Sequence, residues 1–439
     1  MDVRSVAGVA LLAAALTLAG SPPAPLTLVL SGEQDGYLEP CGCAKPPVGG
    51  LARRGGLLST RPAELEVRLD GGDWTQALGR QDELKAATTA RALARMGYAA
   101  VNLGERDWAL SRPVLERLVT EDTPPLLSGN VRVAADQSYP FGRYVMLERQ
   151  VGERSIRVAV IGLLSEALFE DVLAVNPELE VTPAAAALKE LGERVESADF
   201  KVLLFHGQVA AAEKLAQGFA WLDVIVVSHD IEVPWTEARR VGATALLYAG
   251  QHGKSLLLAE LPTAGPGPIG LEVATLESSI PESASIRQLL TAYLERVGEE
   301  ELLADQPKRP HPSGQSFVGS QACSPCHPSE FKTWSETAHA RAWATLVGNR
   351  HDVDPDCVPC HVVGFGFEEG FLSEAATAGL VNVGCENCHG PRSQHVTTLR
   401  RGSSTADSST CLQCHVPDHS PSFDFDSYWP QIAHGSRKP

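Results

Sequence analysis

Four stretches between residues 323 and 415 share one pattern: CSPCH (Cys323, Cys326, His327), CVPCH (Cys357, Cys360, His361), CENCH (Cys385, Cys388, His389) and CLQCH (Cys411, Cys414, His415). Each places two thiols at the spacing that spans the vinyl groups of one haem, followed at once by an imidazole that can reach the iron. Zinc binding and disulfide chemistry compete for any single CxxC pair. Neither gives a reason for His to follow the second Cys four times, so the segment reads as four covalent haem attachments.

The rest of the 439-residue chain is arranged around that segment, and its length suggests two or three domains. Eight of the ten cysteines lie after residue 320, so the upstream three-quarters must fold on an ordinary hydrophobic core without disulfide staples. Residues 306–439 carry ten Lys and Arg against thirteen Asp and Glu, which leaves −14 of the net −17 upstream. So acidic a surface argues against a nucleic-acid partner.

Residues 1–21 set Arg4 ahead of an apolar run from Val6 to Leu18, then Ala19, Gly20 and Ser21, the layout of a cleaved secretory signal peptide. A membrane anchor needs about 20 apolar residues, and this run is shorter and meets Pro22, Pro23 and Pro25. Ser21 stands where a lipoprotein signal needs Cys. The expectation is a periplasmic protein with no stable membrane anchor, in the compartment where c-type haem attachment is completed.

From Leu26 to about Leu276, short strand-like runs alternate with helical patterns: LTLVL (26–30), LEVRLDGGD (65–73), KAATTARALARMG (85–97), AAVNLG (99–104), KVLLFHG (201–207) and DVIVVSHD (223–230). That is an α/β layout. Asp73, Glu105, Asp107, His206 and His229 fall where strands end, the edge on which α/β folds place their sites. Residues 284–305 follow with Ile286, Leu289, Leu290, Tyr293, Leu294 and Val297 at the spacing of an amphipathic helix. The Pro-rich stretch 306–317 then suits an extended, unpacked connector.

This order of strand ends resembles the metallophosphoesterase domain of periplasmic 5′-nucleotidases, over about residues 26–277. The resemblance implies an α/β layered sandwich and a two-metal site. Glu33 and Asp35 stand in for its opening Asp-x-His pair, while Asp73, His206 and His229 occupy matching places. Its Gly-Asn-His-Glu segment is NLGERDW here, so the bridging Asn falls at Leu103 and the catalytic His at Gly104. Bridging ligands set metal spacing, and the His assists the leaving oxygen. The expectation is therefore a degenerate scaffold without nucleotidase activity, its remaining Glu33, Asp35, Asp73, His206 and His229 being candidate ligands for a divalent metal. Cys41 and Cys43 lie near the first pair, as a metal or redox pair or as plain reduced thiols; a disulfide two residues apart would be strained.

Residues 318–415 resemble the tetrahaem cytochrome c-554 family, including Trp334, the Thr337–Ala340 stretch, Gly364-Phe365-Gly366 and Gly390-Pro391 between the motifs. The resemblance implies a mostly helical or irregular multihaem domain, 318–439, in which the haems supply core that the short peptide cannot. It also implies that His395 caps the first haem, His339 the third and a downstream His, His434 or else His419, the fourth. The second, at His361, would stay five-coordinate unless His351 closes it. A second His gives a low-spin electron-transfer haem, whereas an open position binds small molecules. The leading expectation is electron transfer between periplasmic redox proteins. The alternatives are reduction of a small nitrogen or sulfur oxide at the open haem, and phosphoester hydrolysis with accessory haems.

Overall fold

The computed structural model describes residues 24–40, 46–400 and 406–434, apart from positions 77, 230, 232, 264, 266 and 418. The expected signal peptide and the Cys41/Cys43 pair lie outside the described residues.

Two six-stranded sheets form the N-terminal part. In the first, Leu26–Ser31 pairs in parallel with Glu66–Asp70, which continues in parallel to Ala100–Asn102 and Leu126–Leu127; Ser255–Leu261 and Gly270–Thr275 complete the other edge antiparallel. The second runs parallel through Arg154–Leu164, Phe200–His206, Val224–Ser228 and Thr244–Leu247, with antiparallel edges at Tyr144–Val151 and Arg239–Val241.

Side chains alternate across each strand, so each sheet feeds two cores. Leu28, Leu30, Val67 and Leu69 meet Val158, Val160, Val202 and Val224 between the sheets. Val29 and Val101 face outward onto helices carrying Leu51, Leu93, Ile286 and Leu290, while Leu203 and Ile225 pack against Leu188, Leu191 and Leu215 on the other side. The result is an α/β layered sandwich with helices outside both sheets. The amphipathic segment forms the helix Ala284–Glu299, shorter than its 22-residue pattern, and buries Ile286, Leu290, Tyr293, Leu294 and Val297. In the helix Arg80–Arg95, Asp82 and Glu83 occupy the first turn and Arg95 the last, matching the helix dipole.

The C-terminal region is built from short pieces. The longest helices there, among the described residues, are Pro328–Ser335 and Ala342–Asn349, of eight residues each. Its buried apolar cluster is Trp343, Leu346, Val358, Val362, Val363, Phe371 and Leu380. So small a core is a reason for such a peptide to fold around prosthetic groups. The 306–317 stretch is extended but, unlike a free connector, packs on this region: Arg309 exchanges backbone hydrogen bonds with Gly366 and Glu368, and the His311 ring lies 4.7 Å from Phe367.

The two parts touch along the second CxxCH motif. Gln81 Nε2 donates to Asp354 Oδ1 (2.9 Å), Lys85 pairs with Asp356, and His351 lies between Glu39 (3.2 Å) and Asp354 (3.3 Å). Asp354 is buried and also accepts the Asp356 amide. Asp354→Ala should strand these donors, cost about 1–3 kcal/mol, and lower the denaturation midpoint. An unchanged midpoint would mean that the contact contributes nothing to stability.

Candidate functional site

Two groupings of side chains carry chemistry. The first lies at the C-terminal ends of parallel strands in both sheets, where Ser31, Asp70, His206 and Ser228 lead into loops that include Glu33, Asp35, Asp73 and His229, with His252 on the loop after Thr244–Leu247, and Asn102 leads into the helix Glu105–Ala109. Several of these loop residues adopt left-handed backbone: φ is 46° at Glu33, 51° at Asp35, 56° at Asp73, 134° at His229 and 59° at His252. Each such residue costs of order 1–3 kcal/mol and persists only where its surroundings impose it, which is characteristic of functional sites.

Asp107 holds two of the loops. Its carboxylate accepts the amides of Asp73 (2.7 Å), Trp74 (2.9 Å) and Gly104 (2.9 Å). Burial, then the neighbouring Asp73 charge, pushes its pKa up against those three donors.

Asp73, His206 and His229 converge as the sequence suggests, but a fourth ligand type joins them. Glu105 Oε2 lies 2.6 Å from His206 Nε2, and Glu105 Oε1 lies 3.4 Å from His229 Nδ1; Asp73 Oδ2 is 3.2 Å from His206 Nε2. Ligand atoms of these four residues all lie within 4.8 Å of one another, close enough to share an ion. Burial would raise Glu105, but the two imidazoles hold it far below the usual carboxylate range. Burial likewise works against positive charge at His206, and Asp73 with Glu105 favours it. Glu33 and Asp35 stand apart from this quartet. Burial pushes them up to about 7 and about 6, the Tyr248 hydroxyl donates to Glu33 (2.9 Å), and the Arg106 guanidinium pairs with Asp35.

Leu103 is fully buried in the hydrophobic core, so nothing at that position can bridge metals. The preceding Asn102 turns away and donates to the Leu163 carbonyl (3.1 Å). At Gly104 a Cβ would sit 2.1 Å from Asp73 Oδ1 and 2.8 Å from His206 Cε1, so no side chain fits there, and the next two residues, Glu105 and Arg106, are the ones that reach the site, where the Gly-Asn-His-Glu segment carries its Asn and His. What remains is a polar cavity of ≈ 40 Å³ lined by Glu33, Asp35, Asp73, Arg106, His229 and Gln251.

The second grouping is the four motifs. The thiols of Cys323 and Cys385 face each other, as do those of Cys360 and Cys414, and Cys388 lies near Cys411, so the four motifs adjoin one another. Three motif histidines face a second imidazole: His327 and His395 with ring centroids 6.2 Å apart, His415 and His339 at 6.2 Å, His389 and His434 at 5.9 Å. The first pair is the one that the resemblance implied. The other two are exchanged, since His339 was expected over the third motif and His434 over the fourth. His419 lies instead near Tyr37 of the α/β part, at 6.3 Å between centroids.

Among the described residues no imidazole faces His361, whose Nδ1 lies 2.7 Å from the Ala342 carbonyl. His351 points away to the Asp354 and Glu39 carboxylates, which raise its pKa and hold the ring toward the α/β part. Carbonyls also take Nδ1 of His395 (Arg400, 2.8 Å) and of His434 (Ile432, 2.9 Å), which leaves Nε2 of each as the ligating atom. The third motif's Glu386 is structural. Its buried carboxylate accepts the amides of Val318, Gly319 and Arg392 and ties the start of the region to the stretch leading to His395.

Fold and sites together define a metallophosphoesterase-like α/β domain joined to a helical multihaem cytochrome c domain. Residues 322–390 match the family described as cytochrome c554 and c-prime. Over 100 residues the chain is 40% identical to cytochrome c-554 of Nitrosomonas europaea, covering 18% of this chain and 43% of that protein. Over 220 residues it is 27% identical to a 5′-nucleotidase of Vibrio vulnificus, covering 44% of this chain and 38% of the relative. The chain thus spans less than half the length of either curated relative. Among solved structures, a 5′-nucleotidase precursor from Thermus thermophilus aligns with TM-score 0.52 at 20% identity, over 68% of this chain and 62% of its own. A calcineurin-like phosphoesterase from Bacillus subtilis aligns with TM-score 0.51 at 14% identity, over 63% and 98%. At such identities the likeness is one of fold. A cytochrome c domain of this kind carries covalently bound haem c. No helix among the described residues is long and apolar enough to cross a membrane.

Proposed function

We propose that the protein is a periplasmic electron carrier with four covalent haems, three ligated by two histidines and one five-coordinate, and with the domain boundary at residues 306–317. The observation that carries this reading is the set of three imidazole pairs with centroids 5.9–6.2 Å apart. Two metal–imidazole bonds of ~2 Å, extended to the ring centres, span about 6 Å, so each pair is spaced to hold one iron between its rings. The pairs are His327 with His395, His389 with His434, and His415 with His339. Bis-His ligation suits electron transfer, because it leaves no position for substrate.

Adjoining motifs keep the haems close to one another. The α/β part then acts as a docking scaffold that grips the second motif. Redox proteins of the same compartment are the expected partners.

A second reading, reduction of a small nitrogen or sulfur oxide, rests on His361 alone, which among the described residues has no imidazole opposite it. Carbon monoxide tests the site. The reduced protein is expected to bind one equivalent with a spectral shift of one haem in four, and His351→Ala is expected to leave that shift unchanged. If the native protein binds none, or if His351→Ala creates the first open haem, the His361 haem is closed and the reductase reading loses its site.

A further inference from the structure

We propose that the α/β domain binds a single structural divalent cation through Asp73, Glu105, His206 and His229, and that the Arg106 guanidinium takes the place a second cation would need. The inference begins at His206, which is fully buried. Its Nδ1 lies 3.3 Å from the Gly71 carbonyl, an arrangement that puts the ring proton on Nδ1 and aims the Nε2 lone pair at Glu105 Oε2 and Asp73 Oδ2. Ligating histidines are oriented in this way, by a carbonyl taking the other ring N–H. Nε2 and Glu105 Oε2 are buried and neither makes a hydrogen bond of normal geometry, although they lie 2.6 Å apart. Lone pairs held in such contact repel unless a positive charge stands between them. Asp73 and His229 complete the quartet from left-handed backbone positions, where strain persists only when something fixes the loops.

A two-metal centre does not fit these residues. The neighbouring position would need Glu33 and Asp35, but Tyr248 already donates to Glu33 and Arg106 pairs with Asp35. Arg106 Nε also reaches within 3.8 Å of Asp73 Oδ2, and the Arg106 amide donates to Asp73 Oδ1 (3.1 Å). One guanidinium thus supplies the positive charge between Asp35 and Asp73. Two carboxylates and two imidazoles suit a borderline first-row ion such as zinc, and four protein ligands make a closed, structural site, whereas catalytic zinc keeps a position for water. The cation would pin loops from both sheets at their C-terminal edge.

The test uses the haem-loaded, full-length protein, stripped with a chelator and titrated with zinc. Elemental analysis, chelator competition and the thermal midpoint are followed. One zinc per chain beyond the haem irons is expected, with a raised midpoint. Glu105→Gln, close in shape, and His206→Ala should each weaken zinc binding ~10-fold or more, while circular dichroism reports whether they fold. Arg106→Ala should admit a second, weaker equivalent, because it leaves Asp35 and Asp73 without their cationic partner. No zinc bound, two equivalents in the native protein, or Glu105→Gln binding as the native protein does would each overturn the single-ion site. Stoichiometry unchanged in a folded Arg106→Ala would overturn the role given to the guanidinium.

Discussion

Replacing His339 by alanine is expected to turn the haem of the Cys411/Cys414/His415 motif, and no other, from low-spin to high-spin. The His339 ring faces His415 at 6.2 Å, so its loss opens one coordination position. Electron paramagnetic resonance should then show two high-spin haems, the new one and that of His361. The assignment is tested by combining His339→Ala with Cys411→Ala and Cys414→Ala, which removes the fourth haem. In that background His339→Ala should add no high-spin signal. If it still adds one, His339 caps a different haem and the exchanged pairing is incorrect. His434→Ala should act in the same way on the third haem, and His395→Ala on the first.

The second large effect is an absence of catalysis. Hydrolysis of nucleotides or phosphodiesters should stay at background with zinc or manganese supplied, since Arg106 directly follows the quartet member Glu105, where the Gly-Asn-His-Glu segment carries its leaving-group His, and a guanidinium does not give up a proton. General acid assistance alone contributes about 10²–10⁴-fold. The cavity of ≈ 40 Å³ is also far smaller than the roughly 300–1,000 Å³ of small-molecule sites. Gly104→His should not rescue activity, because its Cβ would meet Asp73 at 2.1 Å. Turnover that disappears in Asp73→Ala or His229→Ala would show that the residual ligands suffice.

The strand-end rule marked Asp73, Glu105, His206 and His229 from the sequence, since polar residues closing apolar runs fall on one edge of an α/β sheet. The expectation put the Asn and His of the Gly-Asn-His-Glu motif at Leu103 and Gly104, two residues before Glu105 and Arg106, which are the ones the structure brings into the site. Glu105 was legible as an acid at a strand end but not as a partner of two histidines. That role depends on the turn after Ala100–Asn102, which Asp107 fixes through three amides. Arg106 carried no sequence signal at all, because a basic residue on a loop is ordinarily a solvated one.

The sequence by itself determined the haem chemistry and the fold class. Thiol spacing is a local property of five consecutive residues, and strand alternation a local property of short runs, so neither depends on distant contacts. Only the tertiary structure decided which imidazole faces which motif histidine, and that Glu105 rather than Glu33 or Asp35 clusters with Asp73, His206 and His229. His339 and His415 are 76 residues apart and His389 and His434 are 45 apart. Separations of that size encode no direction, and the pairing follows from how short helices stack around one another.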